Sequence, residues 1–307
     1  LPAGLTYTNS STERYYEAAS GTYTTAAANA AIFEYRSGVY HGMRWEMEQR
    51  TNLALWNRDL TNAAWTSTNG TAAKNQSGID GVANSASSFT ATAGNATCLQ
   101  SITSASAARV TSFFLKRLTG TGTVNITQDN GTTWTAVTLS ASWQRFQVTA
   151  TAANPIIGIR VVTSGDAVAL DFAQHETPAS TASSPIATTT TAVIRQPDVL
   201  TASSIPWYRQ DEGTVVFEGI MSDMPIDRGN FVFLDGTNNN RQYSLVQANG
   251  VSRWLGVSAG VAQYNINTGS ITAGSVFRHV VAYRLDDFAA AANGSAGAAD
   301  TSGALPI

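Results

Sequence analysis

Short runs in which apolar and polar residues alternate cover most of the chain. Val124-Asn125-Ile126-Thr127-Gln128 and Trp143-Gln144-Arg145-Phe146-Gln147-Val148 alternate with a period of two. That period marks a half-buried strand, because successive side chains point to opposite faces. Asp129-Asn130-Gly131 separates the first run from Trp134-Thr135-Ala136-Val137-Thr138-Leu139. Asn-Gly supplies the positive φ angles of a tight hairpin, so these two runs predict paired strands. Residues 107–118 alternate loosely and end at Gly120-Thr121-Gly122, residues 156–162 are apolar but for Arg160, and Val168-Ala169-Leu170-Asp171-Phe172 forms a further run. Strands of this length, punctuated by turns about every ten residues, predict a first β-sandwich over residues 53–177.

The same grammar returns over residues 198–307. Gly213-Thr214-Val215-Val216-Phe217-Glu218-Gly219-Ile220 and Asn230-Phe231-Val232-Phe233-Leu234 read as strands, the second ending at Asp235-Gly236. Asn249-Gly250 joins two more, and residues 276–285 make the last strong one before an Ala/Gly-rich stretch. Four or five strands are few for a closed sandwich, so a longer chain or a partner chain is expected to complete this sheet. Residues 1–52 hold only short runs (Gly21-Thr22-Tyr23-Thr24-Thr25, Ile32-Phe33-Glu34-Tyr35) and read as an extended N-terminal arm packing on a neighbour. Within it, residues 26–31 fit either one helical turn or a close-packed linker. Residues 178–197, with Pro178, Pro185 and Pro197 around a Ser/Thr run, read as a linker. The expected fold is therefore all-β: two consecutive jelly-roll or β-sandwich modules behind an extended arm.

Composition sharpens that picture. Of 307 residues 43% are apolar, enough for real cores, but only 13% are charged, against roughly 25% in an average soluble chain. Lys74 and Lys116 are the only lysines. Helix surfaces draw on Lys, Glu, Arg and Gln, so a Thr-rich chain this poor in them is not mainly helical. The formal net charge is −3 and no basic run is present, which argues against nucleic acid as a partner. Cys98 stands alone, so neither an intrachain disulfide nor a cysteine-based zinc site is expected. No apolar run approaches the length of about 18 residues needed to span a bilayer. The opening Leu1-Pro2-Ala3-Gly4 lacks the charged and apolar regions of a signal peptide.

Phe33-Glu34-Tyr35, Gly42 and the run Glu48-Gln49-Arg50-Thr51-Asn52-Leu53-Ala54-Leu55-Trp56-Asn57-Arg58-Asp59-Leu60 through Trp65-Thr66 resemble a segment recurrent in tailed-phage and prophage fibre, spike and minor structural proteins. There an Arg-Thr-Asn-Leu opening leads into a jelly roll similar to carbohydrate-binding modules. Trp143-Gln144-Arg145-Phe146 resembles the module's penultimate region, and residues 174–198, with Val193-Ile194-Arg195 and Asp198, resemble its exit. Residues from Gly213 onward are similar to a concanavalin A-like or laminin G-like sandwich, and gene-transfer-agent head spikes share the general style. The resemblance implies a non-enzymatic component of a virion's surface (head or tail appendage) assembled in the bacterial cytoplasm. It implies copies of the chain in a trimer or other symmetric oligomer. It further implies other virion proteins contacted through the arm, bacterial surface polysaccharide as ligand, no cofactor and no membrane insertion. A polysaccharide-degrading tailspike-like enzyme and a decoration or adaptor protein without a ligand are the alternatives.

The candidate reactive residues fit display rather than catalysis. Gly256-Val257-Ser258-Ala259-Gly260 matches G-x-S-x-G, but a strand follows where a nucleophile elbow needs a helix. His41, His175 and His279 lie in separate segments without zinc spacing. Glu46 with Glu48, Glu212 with Glu218, and Asp223 with Asp227 are the carboxylate pairs to weigh against a glycosidase; Glu46 and Glu48 read as solvent-facing edge charges. Asp235-Gly236-Thr237-Asn238-Asn239-Asn240 reads as a polar hairpin loop rather than a calcium site. Most tryptophans are expected in cores, with Trp143 and Trp254 facing inward. Trp207-Tyr208-Arg209, beside Pro206 at a module start, is expected to be exposed. Trp207, Tyr208, Arg209, Asp235, Asn238 and Asn239 are accordingly the candidate ligand-binding residues, and no residue is expected to be catalytic or to bind metal.

Overall fold

The computed structural model describes residues 4–12, 14–177, 181–202, 205–206, 208–221 and 227–306. The protein is all-β, with no helix among the described residues. The chain forms two compact units, residues 1–203 and 204–307.

The first unit is a sandwich of two sheets. The five-stranded sheet runs Thr135–Val137, Val124–Thr127, Ile156–Val161, Ala96–Ser101, Thr66–Thr68. The seven-stranded sheet is centred on Ala107–Thr119 and Ala167–Thr177, flanked by Gln144–Ala152 on one side and by Ala86–Ala91 with Gly70–Gln76 on the other, and is extended by Arg50–Asn52 and Val193–Arg195. Between them lies a core of Phe89, Cys98, Phe113, Leu115, Ile126, Ile157, Ile159, Val161, Val168 and Leu170. The alternation predicted for these strands places them: Ile157, Ile159 and Val161 face inward, and Arg160 between them faces out. Asn130 and Gly131 both take positive φ, 62° and 71°, but they lie within the loop of residues 127–134 and not in the two-residue hairpin expected, because the last paired residues are Ile126 and Thr135.

Residues 4–48 do not stand away from this sandwich. Their hairpin Tyr15–Glu17 with Tyr23–Thr25 lies on the outer face of the seven-stranded sheet, where Tyr15 meets Phe172 edge-on at 4.7 Å and Tyr23 meets Phe114 at 5.5 Å. Leu5–Thr8 pairs with Val199–Ala202, so the start and end of the unit are stitched together. The segment expected as a linker is likewise fastened down. Val193–Arg195 pairs with Arg50–Asn52, and Asn52, Asn57 and Gln174 bond to the backbone of residues 184–188. Residues 26–31 form a turn.

A bulge explains why this packing was hidden. Opposite Ser112 to Phe114 the long strand Ala167–Thr177 shifts register, and Phe172 takes φ 44°. An extra residue in one strand turns two neighbours to the same side. Leu170 and Ala173 point into the core, while Asp171 and Phe172 both reach the outer face. Period-two reading fails there. It also fails for Trp143, which packs half-buried with Ile79, Phe114 and Phe172 on that outer face rather than between the sheets.

The second unit is a smaller sandwich of two four-stranded sheets. One runs Arg228–Leu234, Arg241–Val246, Val251–Ser258, Val261–Ser270, and the other Glu212–Ile220, Val276–Arg284, Asp287–Ala292, Ser295–Ala296. Eight strands replace the four or five expected. The alanines of Asp287–Ala292 conceal an alternation in which Phe288, Ala290 and Ala292 are buried. Trp254, Tyr264, Val281, Tyr283 and Phe288 fill the core, with Tyr264 stacked on Phe288.

Candidate functional site: an open sheet face

The two outer faces of the first sandwich differ. On the seven-stranded side the chain covers itself. Arg58 lies over the Phe172 ring at 4.3 Å and pairs with Asp171 at 2.7 Å and Asp80 at 2.8 Å. Asp171, fully buried, also accepts the Ile79 N–H at 2.9 Å. Nearby, Glu46 accepts from Ser184 N–H and Oγ–H and pairs with Arg195 and Arg44. Burial pushes the Glu46 carboxyl up, but the two guanidinium groups and the Ser184 bonds outweigh it and hold it down at about 2. Glu46 is therefore an interior clasp, not the solvent-facing edge charge its sequence position suggested, and Glu48 is spent on Arg50 at 2.8 Å.

Among the described residues no such cover lies on the outer face of the five-stranded sheet. Strand register sets Thr68, Thr97, Arg160, Asn125 and Ala136 in one row across five strands, with Thr66, Leu99, Gly158 and Thr127 in the next outward-facing row. Thr66, Thr68 and Ala136 are exposed, and Thr97, Leu99, Trp134 and Arg160 are half-buried. The Arg160 guanidinium lies 4.5 Å over the Trp134 ring, and its Nε and Nη2 donate to Asn125 Oδ1 at 3.3 and 3.2 Å. Trp134 closes the loop of residues 127–134 and packs on it so closely that a Cβ on Gly131 would lie 2.8 Å from the ring. At the end of the face Asp129 is spent on its own loop, accepting from Thr127 Oγ1–H and Thr133 N–H. The face thus offers flat aromatic and aliphatic surface, a row of hydroxyls and one oriented cation.

The residues singled out from sequence lie in the second sandwich. Trp207 falls outside the described residues. Tyr208 stacks on Phe233 with ring centroids 4.5 Å apart and packs against the core, so its ring is not offered to solvent as expected. Arg209 is exposed and pairs with Asp211 and Glu212 beside a shallow depression of about 410 Å³. Asp235 closes its own loop, accepting from Thr237 and Asn240, with Asn238 and Asn239 exposed beside it. Among the described residues no hydrogen bond or ion pair joins Arg209 to this loop. Trp134 and Arg160 were missed because each sits in a run that reads simply as strand; the register of Ile156–Val161 against Val124–Thr127 is what unites them.

The groups weighed for catalysis are engaged elsewhere. Glu218 pairs with Arg278, Asp227 accepts the Ala248 N–H, and Asp223 lies outside the described residues. His175 and His279 are fully buried, and burial lowers them to about 3 and about 4. Each ties strands together through Nδ1, His175 with Thr111 and His279 with Ser244, both at 2.7 Å. Ser258 of the G-x-S-x-G match ends one strand of the hairpin that returns as Val261–Ser270. Among the described residues no group of three or more His, Cys, Asp or Glu gathers as a metal site.

Fold and face together define a class: a pair of β-sandwiches, the first with one outer sheet face left open. No family model matches the chain, and no curated protein matches it. Among solved structures it is similar, at 12% identity and a TM-score of 0.30, to the CBM22-1-GH10 modules of Clostridium thermocellum endo-1,4-beta-D-xylanase 10B complexed with xylohexaose. That match covers 60% of this chain and 32% of the other.

Proposed function

We propose that the protein is a non-enzymatic structural and adhesive component that binds glycans on the open face of its first sandwich. The observation carrying this reading is the row of exposed Thr68, half-buried Thr97 and Arg160 and the supporting Asn125, beside half-buried Trp134 and Leu99, on one outer face while the chain seals the other. Sugars present an apolar C–H face and a rim of hydroxyls. A sheet face mixing Trp and Leu with hydroxyl and guanidinium donors complements both features. A single shallow site of this kind binds weakly, and several copies in a symmetric oligomer raise the effective concentration. The virion setting, a fibre or spike on head or tail that attaches to bacterial surface polysaccharide, rests on the resemblance of residues 5–198 to phage fibre and spike proteins.

The test is a glycan array probed with the assembled protein, its oligomeric state fixed beforehand by light scattering. Binding to polysaccharide that is lost in Trp134→Ala while the circular dichroism spectrum is kept supports the reading. No binding by a folded oligomer turns it toward a ligand-free adaptor. Release of new reducing ends from bound polysaccharide turns it toward an enzyme.

A further inference from the structure

We propose that the glycan taken by the open face is an acidic one, a polysaccharide bearing carboxylates, and that Arg160 reads the carboxylate. This rests on the glycan reading above and adds the charge of the ligand.

Arg160 sits on Ile156–Val161, the middle strand of the five-stranded sheet. Its Nε–Nη2 edge is taken by Asn125 Oδ1, and Asn125 is itself buried. One flat side rests on Trp134. With one edge and one side held, the plane of the group is fixed. The remaining edge, formed by Nη1 and the second Nη2 hydrogen, stays available. Arginine's planar fork matches the two oxygens of a carboxylate, so an oriented fork with an open edge is a ready receptor for one.

The open edge is not the result of a shortage of acids. The chain holds 21 Asp and Glu against 18 Lys and Arg. Elsewhere several arginines take acids, among them Arg58 with Asp171 and Asp80, Arg117 with Asp166, Arg195 with Glu46, Arg278 with Glu218 and Arg284 with Asp287. Arg109, Arg145 and Arg253 are held by neutral acceptors, and of these Arg145 lies over a ring but has its other edge taken by the Ser183 carbonyl. Among the described residues no carboxylate lies within 4 Å of Arg160. The nearest acid along the neighbouring strand, Asp129, is turned into its own loop by Thr127 and Thr133. A cation that is positioned with care and left without an internal counter-charge is set for an external one. Thr97 and Thr68, in the same row, supply hydroxyls for the sugar that carries the acid.

The second sandwich provides a control. Arg241 also lies over an aromatic ring, Tyr243, at 5.0 Å, but no side-chain acceptor holds its edge among the described residues.

The experiment uses the full chain on an array holding polygalacturonate, alginate and hyaluronate, each beside a methyl-esterified form of the same backbone. The parent protein is expected to bind at least one free acid about tenfold or more above its ester, the scale of a charge-assisted bidentate contact. Arg160→Gln is expected to erase that preference, Arg160→Lys to keep only part of it, and Arg241→Gln to leave it intact, each variant retaining the parent's melting temperature. Added salt should shrink the preference, since an exposed pair is screened. Equal binding to acid and ester, or binding to neutral glycans alone, overturns the acidic ligand and leaves the glycan face standing. Loss of the preference in Arg241→Gln instead of Arg160→Gln moves the site to the other sandwich and overturns it as well. No binding to any glycan overturns both readings.

Discussion

Arg58 and Arg160 sit on opposite outer faces of one sandwich, each laid over an aromatic ring, at 4.3 Å on Phe172 and 4.5 Å on Trp134. Their surroundings separate them. Arg58 is answered by two carboxylates and covered by Tyr15 and its hairpin; Arg160 is answered by a neutral amide and left facing solvent. The same side-chain pairing therefore serves cohesion on one face and display on the other. What decides is whether the chain supplies the counter-charge. Inside, an unmatched guanidinium would cost several kcal/mol of lost solvation, so Asp171 and Asp80 are required. At a half-open face water carries that load until a ligand replaces it.

Variants can break this contrast, and the largest effect belongs to the covered face. Asp171→Ala strands the Arg58 charge and the Ile79 N–H, and should cost about 3–5 kcal/mol in denaturant unfolding of the first sandwich. A loss below about 1 kcal/mol would mean the covered pair contributes no more than a surface one. Next comes the Glu46 clasp. Its folded pKa, about 2, lies below the ordinary 4.5, so its contribution is full above pH 4.5 and drains away as pH falls through about 2. Glu46→Gln should remove about 3 kcal/mol at pH 7. The gap between parent and variant should close between pH 4.5 and 2 in acid-unfolding curves, and a gap that stays constant with pH would refute the clasp.

Smaller effects mark the open face. Gly131→Ala forces a side chain into φ 71° and against Trp134. It should cost about 1 kcal/mol by thermal melt and weaken glycan binding by displacing the ring that orients Arg160. Arg160→Gln itself should move stability by no more than about 0.5 kcal/mol. A drop as deep as that of Asp171→Ala would place Arg160 among the cohesive arginines and erase the distinction.

The strands and the two-sandwich plan were legible because period-two alternation reports local geometry, and Asn249-Gly250 marked a short corner; Asn130-Gly131 and Asp235-Gly236 lie instead in longer loops closed at Ile126/Thr135 and Leu234/Arg241. Three things were not legible. The bulge at Phe172 broke the period, so Asp171 and Phe172 gave no hint that they share a face. Asp287–Ala292 used alanine on both sides, which leaves no contrast to read. Trp134 and Arg160 stand 26 positions apart, and only the pairing of three strands brings them into contact. Short-range patterns reach one strand and its turn, whereas a face is assembled from several. Trp207, Tyr208 and Arg209 stand out in sequence because they are adjacent, yet Tyr208 turns its ring toward the core.

The lone thiol, Cys98, lies wholly inside the first sandwich, where burial pushes its pKa up to about 12. A group so shielded and so reluctant to ionise reacts with alkylating reagents only when its surroundings come apart. Its modification rate is thus a built-in clock for the opening of residues 4–202 alone, blind to the other sandwich, and it needs no engineered cysteine.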